Sequence, residues 1–505
     1  MPADPSVPSH PQAAAVCRQM QCWECRRRRL VCDGTQPVCT KCRAARIVCP
    51  GYADKKPLTW LAPGQVVSRT RKGKPTRKAG GSSQGGHTKG LDEFEGGGQT
   101  DLSQADDALH FLRPFDLRTE TYDVFEAMIY YNSRIYQDLV DNQLGPSAFI
   151  VPLYAVNQIP PPILHTLVST AISHRIIQMA EDPGRNELVK PIWTRLYRHR
   201  DHAIRAINVL VSNEQSRGGM LAILSVYTFL FAMLQQSLEP RWRTHVDGLM
   251  SLIELRGSFT KIITLPGMSL GMMALCIVGI FSNTTSPRDN QFQVASTEET
   301  IGLIDKFYTE TFYPMVSCPG ELVKEIILTS ALRSQPPSPG TTRSANDILA
   351  RIEAFSPQEW TAATRESFHE DWLLISGLYH AATALYCILS LQSSGAFPDP
   401  QQTSSSAKLE LARARHARYL FAQLERAIAT PRVRRRMSWA LIVAGVEASR
   451  ASGEVQRYIG EKLADMSRDQ GIASPLVAKG VLERYWARGG GRWDECFDDA
   501  FAIIM

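Results

Sequence analysis

Six cysteines stand close together in CWECRRRRLVCDGTQPVCTKCRAARIVC, at C-x2-C-x6-C-x6-C-x2-C-x6-C: Cys22, Cys25, Cys32, Cys39, Cys42 and Cys49. The halves Cys22 to Cys32 and Cys39 to Cys49 have identical internal spacing. Two thiolates separated by two residues chelate one metal from a single tight turn, the usual start of a zinc site. Each half supplies only three cysteines, however, and no histidine lies within the stretch. A structural zinc takes four ligands, so two zincs need eight bonds, and six thiolates give eight if two of them bridge both metals. By the pseudo-symmetry the bridges are Cys22 and Cys39, the first of each half. The spacing therefore predicts one binuclear cluster, two zinc ions held by six thiolates. A disulfide module suits a secreted chain, but residues 1–16 lack the charged and apolar regions of a signal peptide. A zinc ribbon would use two cysteine pairs and leave Cys32 and Cys49 unexplained.

Arg26, Arg27, Arg28 and Arg29 lie between the second and third cysteines, and Pro37 precedes the fourth. With these features the stretch resembles the fungal Zn(2)-C6 binuclear-cluster transcription factors. The resemblance implies a nuclear, zinc-dependent module that binds double-stranded DNA and regulates RNA polymerase II genes. It also implies that Arg28 and Arg29 occupy the two positions that read a CGG-type triplet, where the family more often has lysine. Arginine reads guanine through two donors to O6 and N7, and each good pair discriminates by roughly 1–3 kcal/mol. Four consecutive arginines on a short helix cannot share one face, so some meet phosphates and others base edges. Arg26 and Arg27, with Lys41, Arg43 and Arg46 of the second half, are assigned to the DNA backbone. Such contacts give salt-dependent affinity without sequence information. The rival reading is a chromatin or interaction protein using the same module for unspecific DNA contact, which raised salt would weaken steeply.

The elements that must carry this module follow from composition. Residues 1–90 hold 17 Lys+Arg and 4 Asp+Glu, a net +13, while the remainder holds 39 and 46, a net −7. A basic head on an acidic body points to nucleic acid at the head only. Cys17 falls outside the six-ligand pattern as a spare thiol, and Cys276, Cys318, Cys387 and Cys496 are scattered, as in a reducing compartment. The expected architecture is mostly α, in four parts. Residues 1–16 form a disordered tail, 17–52 the binuclear zinc-cluster module, 53–108 a flexible linker, and 109–505 a large all-helical regulatory domain. In the linker Arg69, Arg71, Lys72, Lys74, Arg77 and Lys78 form a basic run, read as a nuclear-import signal or an auxiliary phosphate-binding arm. Gly and Ser crowd residues 80–98, and no sustained a/d heptads follow the cluster. The protein then binds as a monomer or forms a homodimer through its large domain.

Beyond Leu109 apolar residues recur at three and four, the helical period, in Tyr122–Val140, Ile163–Met179, Ile192–Leu210, Met220–Leu234 and Arg241–Leu255. The pattern returns in Asp371–Leu391, Ala407–Ala429, Arg434–Ala451 and Leu476–Trp486, with loops expected at 282–299, 334–344 and 393–406. The apolar runs Met220–Leu234 and Leu270–Phe281 fall short of the roughly 20 residues of a membrane span, so they are expected as core helices, with no membrane partner. Several phrases resemble the fungal-specific transcription factor domain, the second of its common types. They are Tyr130-Tyr131, Trp242-x2-His245-x2-Gly248 running on to Leu255-Arg256-Gly257, Trp439-x5-Gly445-x-Glu447-Ala448, and Trp486 with Trp493-Asp494. Relatives of this kind that sense metabolites imply a small-molecule effector in the helical domain.

His199 and His202, at i and i+3, invite a second metal site, but Arg198, Arg200 and Arg205 make an exposed basic face the expectation, and His245 is expected to bond within its helix. No nucleophile elbow, P-loop or dinucleotide fingerprint is present, so an enzyme is not expected. Two acidic–aromatic stretches, 91–111 and Trp493–Met505, have the composition of segments that engage coactivators or the transcription machinery; for the second, a packed last helix is the preferred reading.

Overall fold

The computed structural model describes residues 22–35, 39–45, 49, 120–135, 151, 153–179, 190–236, 242–308, 317–364, 367–397 and 404–502. Residues 1–16, Pro37, Arg46, the basic run at 69–78 and the acidic–aromatic stretch 91–111 lie outside these. The chain divides into two units, residues 1–100 and 101–505.

In the first unit two helices of five residues, α1 (Trp23–Arg27) and α2 (Thr40–Ala44), begin alike. Helices this short are far below the roughly 12–15 residues that sustain one alone, so their ends must be held from outside. Cysteine does this at both starts. The Cys22 and Cys39 sulfurs accept the backbone N–H of Cys25 and Cys42, each at 3.3 Å. The two caps have nearly equal φ/ψ of −63°/152° and −67°/150°.

The second unit is built of helices joined by turns and loops, with no strand among its described residues. Its longer helices are α3 (Glu120–Tyr130), α4 (Pro161–Met179), α5 (Lys190–Ser212), α6 (Met220–Gln236), α7 (Trp242–Leu255) and α8 (Ser269–Thr284). They continue with α9 (Thr297–Phe307), α10 (Gly320–Arg333), α11 (Pro339–Ala354), α12 (His369–Ser393) and α13 (Ser404–Ala429). The last three are α14 (Ser438–Glu447), α15 (Gly453–Gln470) and α16 (Ser474–Ala487). Helix α12 is apolar on every side, which marks a central helix. It packs against α10, α11, α13 and α14 and the short segments Pro357–Thr364 and Trp493–Cys496. At 25 residues it is also long and apolar enough to cross a membrane, but its apolar window is 89% buried inside the protein. The neighbouring helices already cover it.

Trp439 of α14 sits beside this helix, fully buried. It stacks on Tyr379 with rings 12° apart and meets Phe281 and Tyr386 edge-on. Its indole N–H donates to Thr284 Oγ1 at 3.0 Å, and that of Trp493 donates to the Thr284 carbonyl at 2.8 Å. Both polar handles are thus satisfied where aromatic burial is greatest.

The expected helices recur within a few residues of their bounds, except that Tyr122–Val140 is α3 followed by a π-helical turn at Tyr131–Ile135, with residues 136–140 outside the described ones; there are three further departures. The loop expected at 334–344 is half helix, because Ser338 caps α11 and Pro339 sits in its first turn, where proline lacks nothing. Arg434–Ala451 is not one helix but Pro431–Arg434, α14 and a 3-10 turn at Ala448–Arg450. Helices α9, α10, α15 and Pro357–Thr364, and α11 beyond the expected loop, have no counterpart among the expected helices.

Candidate metal centre and nucleic-acid interface

The capping geometry turns the first cysteine of each half inward. Cys22 Sγ lies 3.7 Å from Cys39 Sγ and 3.8 Å from Cys42 Sγ, and Cys25 Sγ lies 3.7 Å from Cys39 Sγ. All four sulfurs fall within 4.8 Å of one another, and Cys32 joins Cys39 within the same limit. Cys49 packs against the group from the far end of the second half. A disulfide would require about 2.05 Å. Sulfurs on a tetrahedral zinc at bond lengths of about 2.3 Å stand about 3.8 Å apart, which is the spacing found. Cys22 and Cys39 each approach sulfurs of both halves, as bridging thiolates must. The donor set therefore fits two zinc ions. Without a cation such crowding favours thiols: burial and the neighbouring sulfurs push Cys25 up to about 12 and raise Cys42 further. A divalent ion is what makes the thiolate set favourable.

Asp33 was not singled out from the sequence. Its carboxylate accepts the Thr40 backbone N–H at 3.1 Å and the hydroxyls of Thr35 and Thr40, tying the first half to the start of α2. Those hydrogen bonds pull it down to about 2. The available signal was an acid beside a cysteine with threonines on either side of the second half's start.

Helix α1 ends before its arginine run does. Arg28 is the C-cap, and Arg29 has φ +55°, the left-handed region. The Leu30 N–H donates to the Cys25 carbonyl at 2.9 Å and the Arg29 N–H to Arg26 at 3.4 Å. This is a Schellman ending with arginine where glycine is usual. The four arginines therefore divide by backbone rather than by helix face: Arg26 and Arg27 are helical, while Arg28 and Arg29 leave on the turn. Arg26, Arg28, Arg29, Lys41 and Arg43 are all exposed.

In the helical unit the phrases anchored by tryptophan are fastenings, buried at Trp242, Trp439 and Trp493 and half-buried at Trp486. Trp242 donates to the Ala500 carbonyl at 2.9 Å, and Trp486 to that of Gly445 at 2.9 Å. The closing segment is packed as preferred: Trp493, Cys496 and Phe497 are buried, and Asp494 pairs with the buried Arg333 at 2.6 Å. Two histidine expectations need correction. His199 lies fully buried against α3, not on an exposed basic face. His245 packs edge-on to Phe229, so a ring contact takes the place of the expected bond within its helix. It lines a groove of about 790 Å³ between α5, α6 and α7, with Val211, Arg217, Val226 and Leu252 among its other walls. None of the ten described cysteines forms a disulfide.

A sulfur knot spaced for two zincs, joined in sequence to a large helical unit with buried tryptophan fastenings, defines a zinc-cluster regulator. The chain belongs to the fungal-specific transcription factors: the fungal-specific transcription factor domain matches residues 128–501, and the fungal Zn(2)-Cys(6) binuclear cluster domain matches residues 21–58. It is accordingly a zinc-binding, DNA-binding regulator of transcription and not an enzyme. It is similar to the phomenoic acid biosynthesis cluster-specific transcriptional regulator of Leptosphaeria maculans, with 30% identity covering 97% of this chain and 90% of that one. No solved structure matches the chain.

Proposed function

We propose that this chain is a sequence-specific, pathway-dedicated regulator of RNA polymerase II genes that acts in the nucleus. Cys22, Cys25, Cys32, Cys39, Cys42 and Cys49 hold the two zincs, with Cys22 and Cys39 as the bridges. Arg28 and Arg29 read a CGG-type triplet, and Arg26, Arg27, Lys41, Arg43 and Arg46 hold phosphates. The observation that carries this reading is the Schellman turn. It holds the backbone of Arg28 and Arg29 against Cys25 and Arg26, so the points from which the two exposed side chains leave are set by the cluster rather than by a free tail. Dedication to one pathway is supported by the likeness, over nearly the whole chain, to a regulator whose name ties it to a single biosynthetic cluster. A small-molecule effector is supported by the mostly apolar groove between α5, α6 and α7.

The test is genome-wide occupancy of the tagged protein, run beside its Arg28→Ala/Arg29→Ala variant at equal expression. Peaks over CGG-containing promoters of one contiguous gene set, lost in the variant with zinc content unchanged, support the proposal. Occupancy without CGG enrichment that collapses at raised salt supports the unspecific reading. Loss of zinc in the variant overturns the assigned arginine roles.

A further inference from the structure

The helical unit gathers a second set of metal-ligating side chains. Helix α3 supplies Glu120 and Asp123, α4 supplies His165, and α5 supplies His199 and His202. Helices α4 and α5 pack along one another, and α3 lies against α4. The ligand atoms of Glu120, His165 and His202 all fall within 4.8 Å of one another. Glu120 Oε1 is 2.9 Å from His202 Nδ1 and 3.4 Å from His165 Nε2. Nitrogen and oxygen ligands at about 2.0–2.1 Å from a tetrahedral zinc stand about 3.4 Å apart, so this triangle is already near the required size.

The groups behind the triangle determine which atoms face it. His199 Nε2 lies 3.4 Å from Asp123 Oδ2, and Arg195 holds the other oxygen of Asp123 at 2.7 Å. A carboxylate only accepts, so His199 carries its proton on Nε2 and points it at Asp123. The neutral His199 ring then has its lone pair on Nδ1, which is 3.0 Å from His165 Nδ1 and accepts the proton there. His165 is left with a lone pair on Nε2, facing the Glu120 carboxylate. Two lone-pair atoms at that distance repel unless a cation or a proton stands between them. The chain from Asp123 through His199 to His165 is the kind of hydrogen-bonded backing that fixes the tautomer of a metal-ligating imidazole.

We propose that Glu120, His165 Nε2 and His202 Nδ1 bind a divalent transition-metal ion of the zinc class, with water in the fourth position. The half-exposed side chains of Glu120 and His202, at 45% and 37%, leave that position open to solvent. Imidazole and carboxylate without thiolate suit zinc and its first-row neighbours. Occupancy joins α3 to the α4–α5 pair, so the ion acts as a clamp on the helical unit.

The experiment counts metal on the full chain. Purified protein is dialysed against zinc, and bound metal is measured by mass spectrometry beside Glu120→Gln and His202→Ala. Three zincs per chain are expected for the natural sequence and two for each variant. Both substituted residues are partly exposed, and unfolding in metal-free buffer checks that the variants retain their fold. Added zinc should raise the Tm of the helical unit in the natural chain and not in the variants. Cadmium-113 NMR gives an independent readout, since a nitrogen- and oxygen-bound ion resonates apart from thiolate-bound ones. Two zincs on the natural chain, or a third that survives both substitutions, would overturn the proposal.

Discussion

Replacing Arg29 by glycine should improve the zinc module while disabling it on DNA. Arg29 has φ +55° at the end of α1, where an L side chain costs roughly 1–2 kcal/mol relative to glycine. Glycine is freer in the unfolded chain, which returns roughly 0.5–1 kcal/mol. The net gain of about 0.5–1 kcal/mol appears as zinc affinity, because a module this small folds only with its metal. Competition with a chelator should therefore show zinc held about 2–5-fold more tightly. The same substitution removes a guanidinium assigned to a base edge, which is worth roughly 1–3 kcal/mol, or about 5–150-fold in specific affinity. Fluorescence anisotropy with a CGG duplex and a scrambled one reads the second effect, and Arg29→Lys separates charge from the planar fork. The reasoning fails if glycine weakens zinc binding, since the backbone would then not be strained. It fails equally if discrimination between the two duplexes is unchanged.

Two further outcomes follow from the helical unit. His380 donates from Nε2 to the Ile352 carbonyl at 2.9 Å and is brought down to about 4 by burial and by its neighbour His416. The unfolded chain takes up that proton first, so this contribution to stability is complete above pH ~6.5 and drains away towards pH ~4, by at most about 3 kcal/mol. His380→Gln can still donate to Ile352 and should give a shallower loss of Tm over that window; superimposable pH profiles would contradict it. Trp439→Ala should cost about 3–5 kcal/mol in denaturant unfolding, because it empties the space between Tyr379, Phe281 and Tyr386 and removes the bond to Thr284. A loss below about 1 kcal/mol would mean that the site collapses around the cavity.

What the sequence revealed depends on how far apart the partners of each feature lie. The zinc module was legible because its logic is local: the cysteine spacing specifies the caps, and the caps bring the sulfurs together. Helix α12 was legible because it is apolar for its whole length. Helix α10 was not, although it is just as deeply placed. Its inward face includes Glu325, Thr329, Ser330 and Arg333, which carry no apolar signal. Three of them are buried with partners supplied from elsewhere: Arg351 reaches Glu325 at 2.7 Å, Tyr386 meets Ser330 at 2.8 Å, and Asp494 meets Arg333. His199 was misread for the same reason. Its arginine neighbours in sequence argued for exposure, but Asp123, 76 residues away, supplies the acceptor that allows it inside. The left-handed Arg29 could not be foreseen, since its backbone conformation favours glycine.

The tryptophan phrases show how a weak sequence resemblance acquires a physical basis. In Trp439-x5-Gly445-x-Glu447-Ala448, the tryptophan fills the core beside α12. Gly445 lets α14 meet Leu482 of α16 so closely that a Cβ would lie 2.9 Å from Leu482 Cδ2. Glu447 receives a two-point grip from Arg413 of α13, at 2.9 and 2.7 Å. Trp493-Asp494 closes the same core from the other end of the chain, through Thr284 and Arg333. An acidic residue beside an aromatic one reads equally well as a segment for coactivators and as the last turn of a fold. Here burial decides between them, because Asp494 neutralises a fully buried arginine. Removing that carboxylate would leave the arginine charge uncompensated in the core, a far larger cost than the loss of a surface pair. The pair Trp493-Asp494 is thus accounted for by the stability of the helical unit.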